Sequence, residues 1–106
     1  MLTLNNSSKY SQVTTEGFRQ QSIFTINHVL RRHPSIGIEA LSILSFVSGR
    51  GNVTYTEVAE YFKMNEVTAR VHLHRLKKKR YMKVMARGKY ALAYEGKQIV
   101  RELTDG

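Results

Sequence analysis

GNVTYTEVAEYFKMNEVTARVHLHRLKKKRYMKV, residues Gly51–Val84, is the stretch whose reading decides the fold. Thr54 with Glu57 at the third position after it forms a capping box. The Thr hydroxyl accepts from the Glu backbone N–H, and the Glu carboxylate reaches back to the Thr N–H. A helix over Tyr55–Lys63 follows, with Val58, Ala59 and Phe62 turned inward. Met64 and Asn65 make a turn, and Asn65 is a good N-cap. The next helix is Glu66–Arg80. Ala69, Leu73 and Leu76 recur at helical spacing and give it one inward stripe, with His72 beside it. Two short helices joined by so tight a turn hold the second one proud of the surface.

Outward from this centre the pattern continues. Met82–Ala86 alternates apolar and basic, Arg87-Gly88-Lys89 reads as a tight turn, and Tyr90–Ala93 returns. Residues 82–93 therefore predict a two-stranded hairpin with a basic tip. Tyr94–Leu103 predicts a last helix, with Ile99, Val100 and Leu103 apolar. Upstream, Asn52–Thr54 predicts a short strand. Ile38–Ser48 predicts a helix that is apolar over much of its circumference, stopped by Gly49-Arg50-Gly51. Thr15 caps a helix over Glu16–Arg32, with Phe18, Ile26, Val29 and Leu30 as its apolar positions. His33-Pro34 ends it, because a residue before proline disfavours the α region. Residues 1–14 are polar and read as a flexible N-terminal arm. The expected architecture is mainly α with a small β-hairpin: a single winged helix-turn-helix domain over residues 15–106.

The charge lies in the same stretch. Seventeen Lys and Arg face eight Asp and Glu, for a net charge of +9. Ten of the bases fall between Lys63 and Lys89, where Glu66 is the sole acid, so this segment holds the whole excess. Such a distribution predicts attraction to a polyanion, nucleic acid first. The chain has no cysteine, which excludes disulfides and thiolate metal sites. No secretory signal pattern opens it, and no apolar run approaches the roughly 18 residues of a spanning helix. A cytoplasmic protein with no membrane partner is the expectation.

Ile36–Leu103, about two thirds of the chain, resembles the winged helix-turn-helix DNA-binding proteins, most closely the MarR-like transcriptional regulators. Thr54, Glu57, Val58, Ala59, Phe62, Met64, Thr68, Leu73, Arg75 and Leu76 stand where that pattern expects similar residues. YEGKQIVREL, from Tyr94, resembles the segment after the wing. The resemblance implies a DNA-binding regulator, a repressor, working as a homodimer. The chain departs from the pattern in places. Lys63 stands where a turn glycine is usual, Arg80 where a glycine ends the recognition helix, and Ala93 where a Thr or Ser cap is usual. Longer terminal helices carry the family's dimer. Here the N-terminal helix and Tyr94–Leu103 either supply that surface or simply cover the core.

A helix fits the B-DNA major groove, where each base pair shows a distinct donor and acceptor pattern. The expected reading face is Val67, Thr68, Arg70, Val71, His74 and Arg75. Arg70 suits bidentate pairing with guanine, and Thr68 and His74 suit base edges or phosphate. Val67 and Val71 suit thymine methyl groups. Lys77, Lys78 and Lys79 suit phosphates, where charge matters more than geometry. Arg87 and Lys89 at the hairpin tip suit the backbone or the minor groove. Tyr55 and Thr56 sit at a helix N-terminus, where N–H groups suit a phosphate.

The sequence carries no signature of an enzyme, a cofactor or a metal. His72 and His74 project about 200° apart on a helix and cannot share one ion. Two alternatives to a specific regulator stay open on sequence alone. One is a winged-helix protein-interaction module. The other is a non-specific nucleic-acid-binding accessory factor of a phage or plasmid.

Overall fold

The computed structural model describes residues 23–105. The arm over residues 1–14 and the helix start at Thr15 lie outside the described residues. From Ile23 on, the chain is mainly helical with a small three-stranded antiparallel sheet.

Helix α1, Ile23–Arg32, buries Ile26 and Val29 and ends before His33-Pro34 as the proline requires. Helix α2, Ile38–Arg50, is the centre of the core. Leu41, Ser42, Ile43, Leu44, Phe46 and Val47 are all buried on it. The Ser42 hydroxyl donates to the Glu39 carbonyl at 2.8 Å, which settles the one buried polar side chain of the described residues. This helix runs past the expected stop at Ser48. Gly49 is helical, and Gly51, with φ of 91°, breaks the chain. A glycine stops a helix only where the backbone turns left-handed, and the second of the two glycines does so.

Strand β1, Asn52–Val53, leads into helix α3, Tyr55–Phe62. The capping box is present in full. The Glu57 N–H donates to Thr54 Oγ1 at 3.2 Å, and the Thr54 N–H donates to Glu57 Oε1 at 2.8 Å. Lys63 is not helical but caps the end in the left-handed region, φ 57° and ψ 46°. Phe46 of α2 stacks on Tyr61 of α3 at 4.1 Å and meets Phe62 edge-on at 5.5 Å, which fixes α3 against α2.

Helix α4, Glu66–Lys78, ends earlier than Arg80. The Tyr81 N–H reaches back to the Leu76 carbonyl at 2.9 Å and the Arg80 N–H to the Lys77 carbonyl at 2.9 Å. That pair of bonds is a Schellman motif, and it needs a left-handed residue after the cap. Arg80, with φ of 70°, takes the place that glycine fills at lower cost. Good helix formers over Lys77–Arg80 made the helix read two residues too long.

Strand β2, Met82–Val84, and strand β3, Tyr90–Leu92, flank the tip Ala86–Gly88. The expected two-stranded hairpin is thus present, within a sheet of three strands. Strand β1 joins it, in the order β1-β3-β2, with Asn52 opposite Ala91 and Val53 opposite Tyr90. Met82 pairs with Leu92 and Lys83 with Ala91, so the sheet turns Met82 and Leu92 to one face and Lys83 to the other. Helix α5, Tyr94–Asp105, closes the core with Ile99, Val100 and Leu103, and extends past the expected end at Leu103. It packs on α1 and α2. Glu102 of α5 accepts from Arg32 Nε at 3.2 Å and lies 3.2 Å from His33 Nε2, tying the end of α1 to it.

Gly96 of α5 lies against the Tyr81 carbonyl, where an added Cβ would stand 2.2 Å from that oxygen. The same carbonyl accepts from the Ala93 N–H at 3.0 Å. Helix α5 and the foot of the hairpin therefore meet backbone to backbone.

Candidate nucleic-acid interface

Helix α4 is held by one face and open on the other. Asn65 caps it, its Oδ1 accepting from the Thr68 N–H at 2.8 Å. Ala69, Leu73 and Leu76 are buried in the core that includes Val58, Ala59 and Phe62 of α3. All six side chains expected on the reading face, Val67, Thr68, Arg70, Val71, His74 and Arg75, are exposed. Val67 is 66% exposed and Val71 41%. Two valines left in water on a helix whose other apolar side chains are buried are not core residues. His72 is half-buried instead, its Nε2 3.8 Å from Glu39 Oε1, at the edge of the core.

Tyr55 and Arg70 meet. The Arg70 guanidinium carbon stands 4.5 Å from the centre of the Tyr55 ring. Tyr55 is half-buried at the start of α3, and Arg70 is exposed on the second turn of α4. A guanidinium stacked on a ring loses rotamer freedom and keeps its N–H edge available for a planar acceptor. Tyr55 stands at the helix N-terminus expected to suit a phosphate, and its ring is also a platform for Arg70, a pairing that the packing of α3 against α4 creates.

Thr56 is half-buried beside it, on the first turn of α3. At this helix end the capping box occupies the Glu57 amide and places the Glu57 carboxylate there. Arg50 Nη1 lies 3.9 Å from that carboxylate, and its guanidinium stands 5.0 Å from the Phe46 ring centre. Arg50 was not among the expected site residues. It offsets the one negative charge at the N-terminus of α3, and nothing in the sequence spacing of Arg50 and Glu57 announces the contact.

The basic run at the end of α4 divides. Lys77 and Lys78 are exposed on the last turn. Lys79 is held differently: its Nζ donates to the Ser35 carbonyl at 3.1 Å, fastening the end of α4 to the loop before α2. Arg80 serves the Schellman turn. At the hairpin tip Met85–Lys89 is exposed throughout, and Arg87 and Gly88 both take positive φ, 60° and 72°. Two successive left-handed residues are what the tightest hairpin turns use. Arg87 and Lys89 are thereby carried on an exposed projection whose foot, Met82, is buried where β2 packs against α4. Among the described residues no group of three or more potential ligands could hold a metal ion. No described helix is long and apolar enough to cross a membrane.

No protein-family model matches the chain, and no curated protein sequence does. Among solved structures it is similar to the crystal structure of RV1404 from Mycobacterium tuberculosis. The TM-score is 0.70 at 14% identity, over 99% of this chain and 74% of that one. At that identity the likeness concerns the fold alone.

Proposed function

We propose that this chain is a winged helix-turn-helix protein that binds duplex DNA and regulates transcription, as a repressor in the cytoplasm. Helix α4 enters the major groove, and the tip Ala86–Gly88 is the wing. The observation that carries this reading is the outer face of α4. Six side chains suited to base edges, thymine methyls and phosphates stand exposed on it, within a segment that holds the whole +9 charge of the protein. Arg70, ordered on Tyr55, reads guanine; Val67 and Val71 meet thymine methyls; Thr68 and His74 reach neighbouring edges. Arg75, Lys77, Lys78, Arg87 and Lys89 neutralise phosphates, and Thr56 contacts the backbone beside α3.

A pair of copies related by a two-fold axis would set two α4 helices on half-sites about one helical turn apart. In each copy α1 already covers its own core with Ile26 and Val29, so such a contact uses the remaining surfaces of α1 and α5.

Selection of bound duplexes from a random pool, at fixed salt, tests the proposal. A recovered motif with a guanine opposite Arg70 is the expected result, and a palindromic motif reports the dimer. Retention with no motif at any salt would leave non-specific binding, and no retention on DNA would remove the reading.

A further inference from the structure

A groove opens on the other side of the sheet. It has a volume of about 690 Å³ and lies between the end of α2, the strands β2 and β3, and α5. Met85, 45% exposed, gives it an apolar floor together with Ala91 and Val100, and Lys83, Lys97 and Arg101 line it with them. None of its lining residues among the described residues is acidic. The three cations have no ion pair or hydrogen bond among the described residues. Their placement is unfavourable for the chain by itself. Lys97 stands in the first turn of α5, where the helix dipole opposes a positive charge. Arg101 follows at i+4 on the same face, so the two like charges repel. Glu95, the acid nearest in sequence, projects about 200° away from Lys97.

Lys83 faces the groove because strand alternation turns it away from Met82, and Met82 faces α4. The groove and the outer face of α4 are therefore on opposite sides of the sheet. Three unpaired cations around an apolar floor fit a ligand with both carboxylates and apolar side chains. A phosphate backbone satisfies the cations and leaves the floor in water.

We infer that this groove docks an acidic, apolar-containing peptide segment of a protein partner, and that it does so while α4 remains available. The inference stands on the groove and does not require the DNA reading. Fluorescence anisotropy with the whole protein tests it, using a short labelled peptide in which Leu and Glu alternate and a second in which Ser and Glu alternate. The Leu–Glu peptide should bind about tenfold more tightly than the Ser–Glu peptide, the gain from burying a few apolar groups. Lys97→Glu with Arg101→Glu should weaken it by about tenfold, as expected for losing two well-formed rim ion pairs. Lys97→Gln with Arg101→Gln, gentler on folding, should weaken it in the same direction. Excess duplex DNA should leave the bound peptide in place. Equal binding of both peptides, indifference to both double variants, displacement by duplex DNA, or no binding would each overturn the inference. DNA selection with the same Gln variant separates the two proposals, because an unchanged motif leaves the α4 reading intact whatever the peptide does.

Discussion

Lys63 and Arg80 stand at the two ends of the segment that carries α4, and both hold a left-handed backbone without being glycine. A side chain there costs roughly 1–2 kcal/mol. Lys63→Gly and Arg80→Gly should each stabilise the protein by about 1 kcal/mol, raising Tm by about 4–8 °C in thermal unfolding. The helical pattern alone ran through both, because lysine and arginine are good helix formers and only the bonds back to Ala59 at one end and to Leu76 and Lys77 at the other terminate the two helices. A second prediction concerns Tyr55. Tyr55→Ala should reduce base preference at the position read by Arg70, and Arg70→Ala should abolish that preference at a cost of about 1–3 kcal/mol. Tyr55→Phe should retain it, since the ring and not the hydroxyl carries the guanidinium. Motif selection with the three variants checks this; an unchanged motif for Tyr55→Ala would show that the stack is not needed for reading.

At the scale of elements, periodicity and caps were the readable part. The buried stripe of α4, the capping box of α3 and the Asn65 cap all follow from local chemistry and are all present. The third strand was less legible. Asn52–Val53 is too short to declare a partner, and its pairing with Ala91 and Tyr90 is a long-range event. The site was legible in the same measure. Its exposed residues followed from helical period, whereas the Tyr55 platform, the Arg50–Glu57 contact and the Lys79–Ser35 tie arise between elements. The meeting of α5 with the hairpin gives the sharpest element-scale prediction. Gly96→Ala puts a carbon where the Tyr81 carbonyl stands, and neither backbone can yield as a side chain would. The variant should lose about 3 kcal/mol in denaturant unfolding.

For the whole molecule, the charge of the segment Lys63–Lys89 is divided among several tasks. Lys79 fastens a loop, Arg80 turns the chain and Lys83 faces the groove. Arg75, Lys77, Lys78, Arg87 and Lys89 are exposed, and in the proposed DNA complex they are the residues that meet phosphates. Replacing Lys77 and Lys78 with Ala should lower affinity for all duplexes alike. It should also reduce the slope of log affinity against log salt by about 2, close to one unit per phosphate contact. Replacing Arg87 and Lys89 with Ala should do the same if the tip lies on the backbone. Titration of both double variants across salt measures the division directly, and a slope equal to that of the parent protein would exclude those residues from the contact. Helix α4 adds a constraint of its own. Capped at Asn65 and ended by the turn at Arg80, it has a fixed azimuth as well as a fixed length. One residue inserted between Arg70 and Leu73 would swing everything before it by about 100° about the helix axis. Arg70 would leave Tyr55, and Ala69 would leave the core while Leu73 and Leu76 stayed put, so a length change within this helix displaces its outer face and part of its buried stripe together.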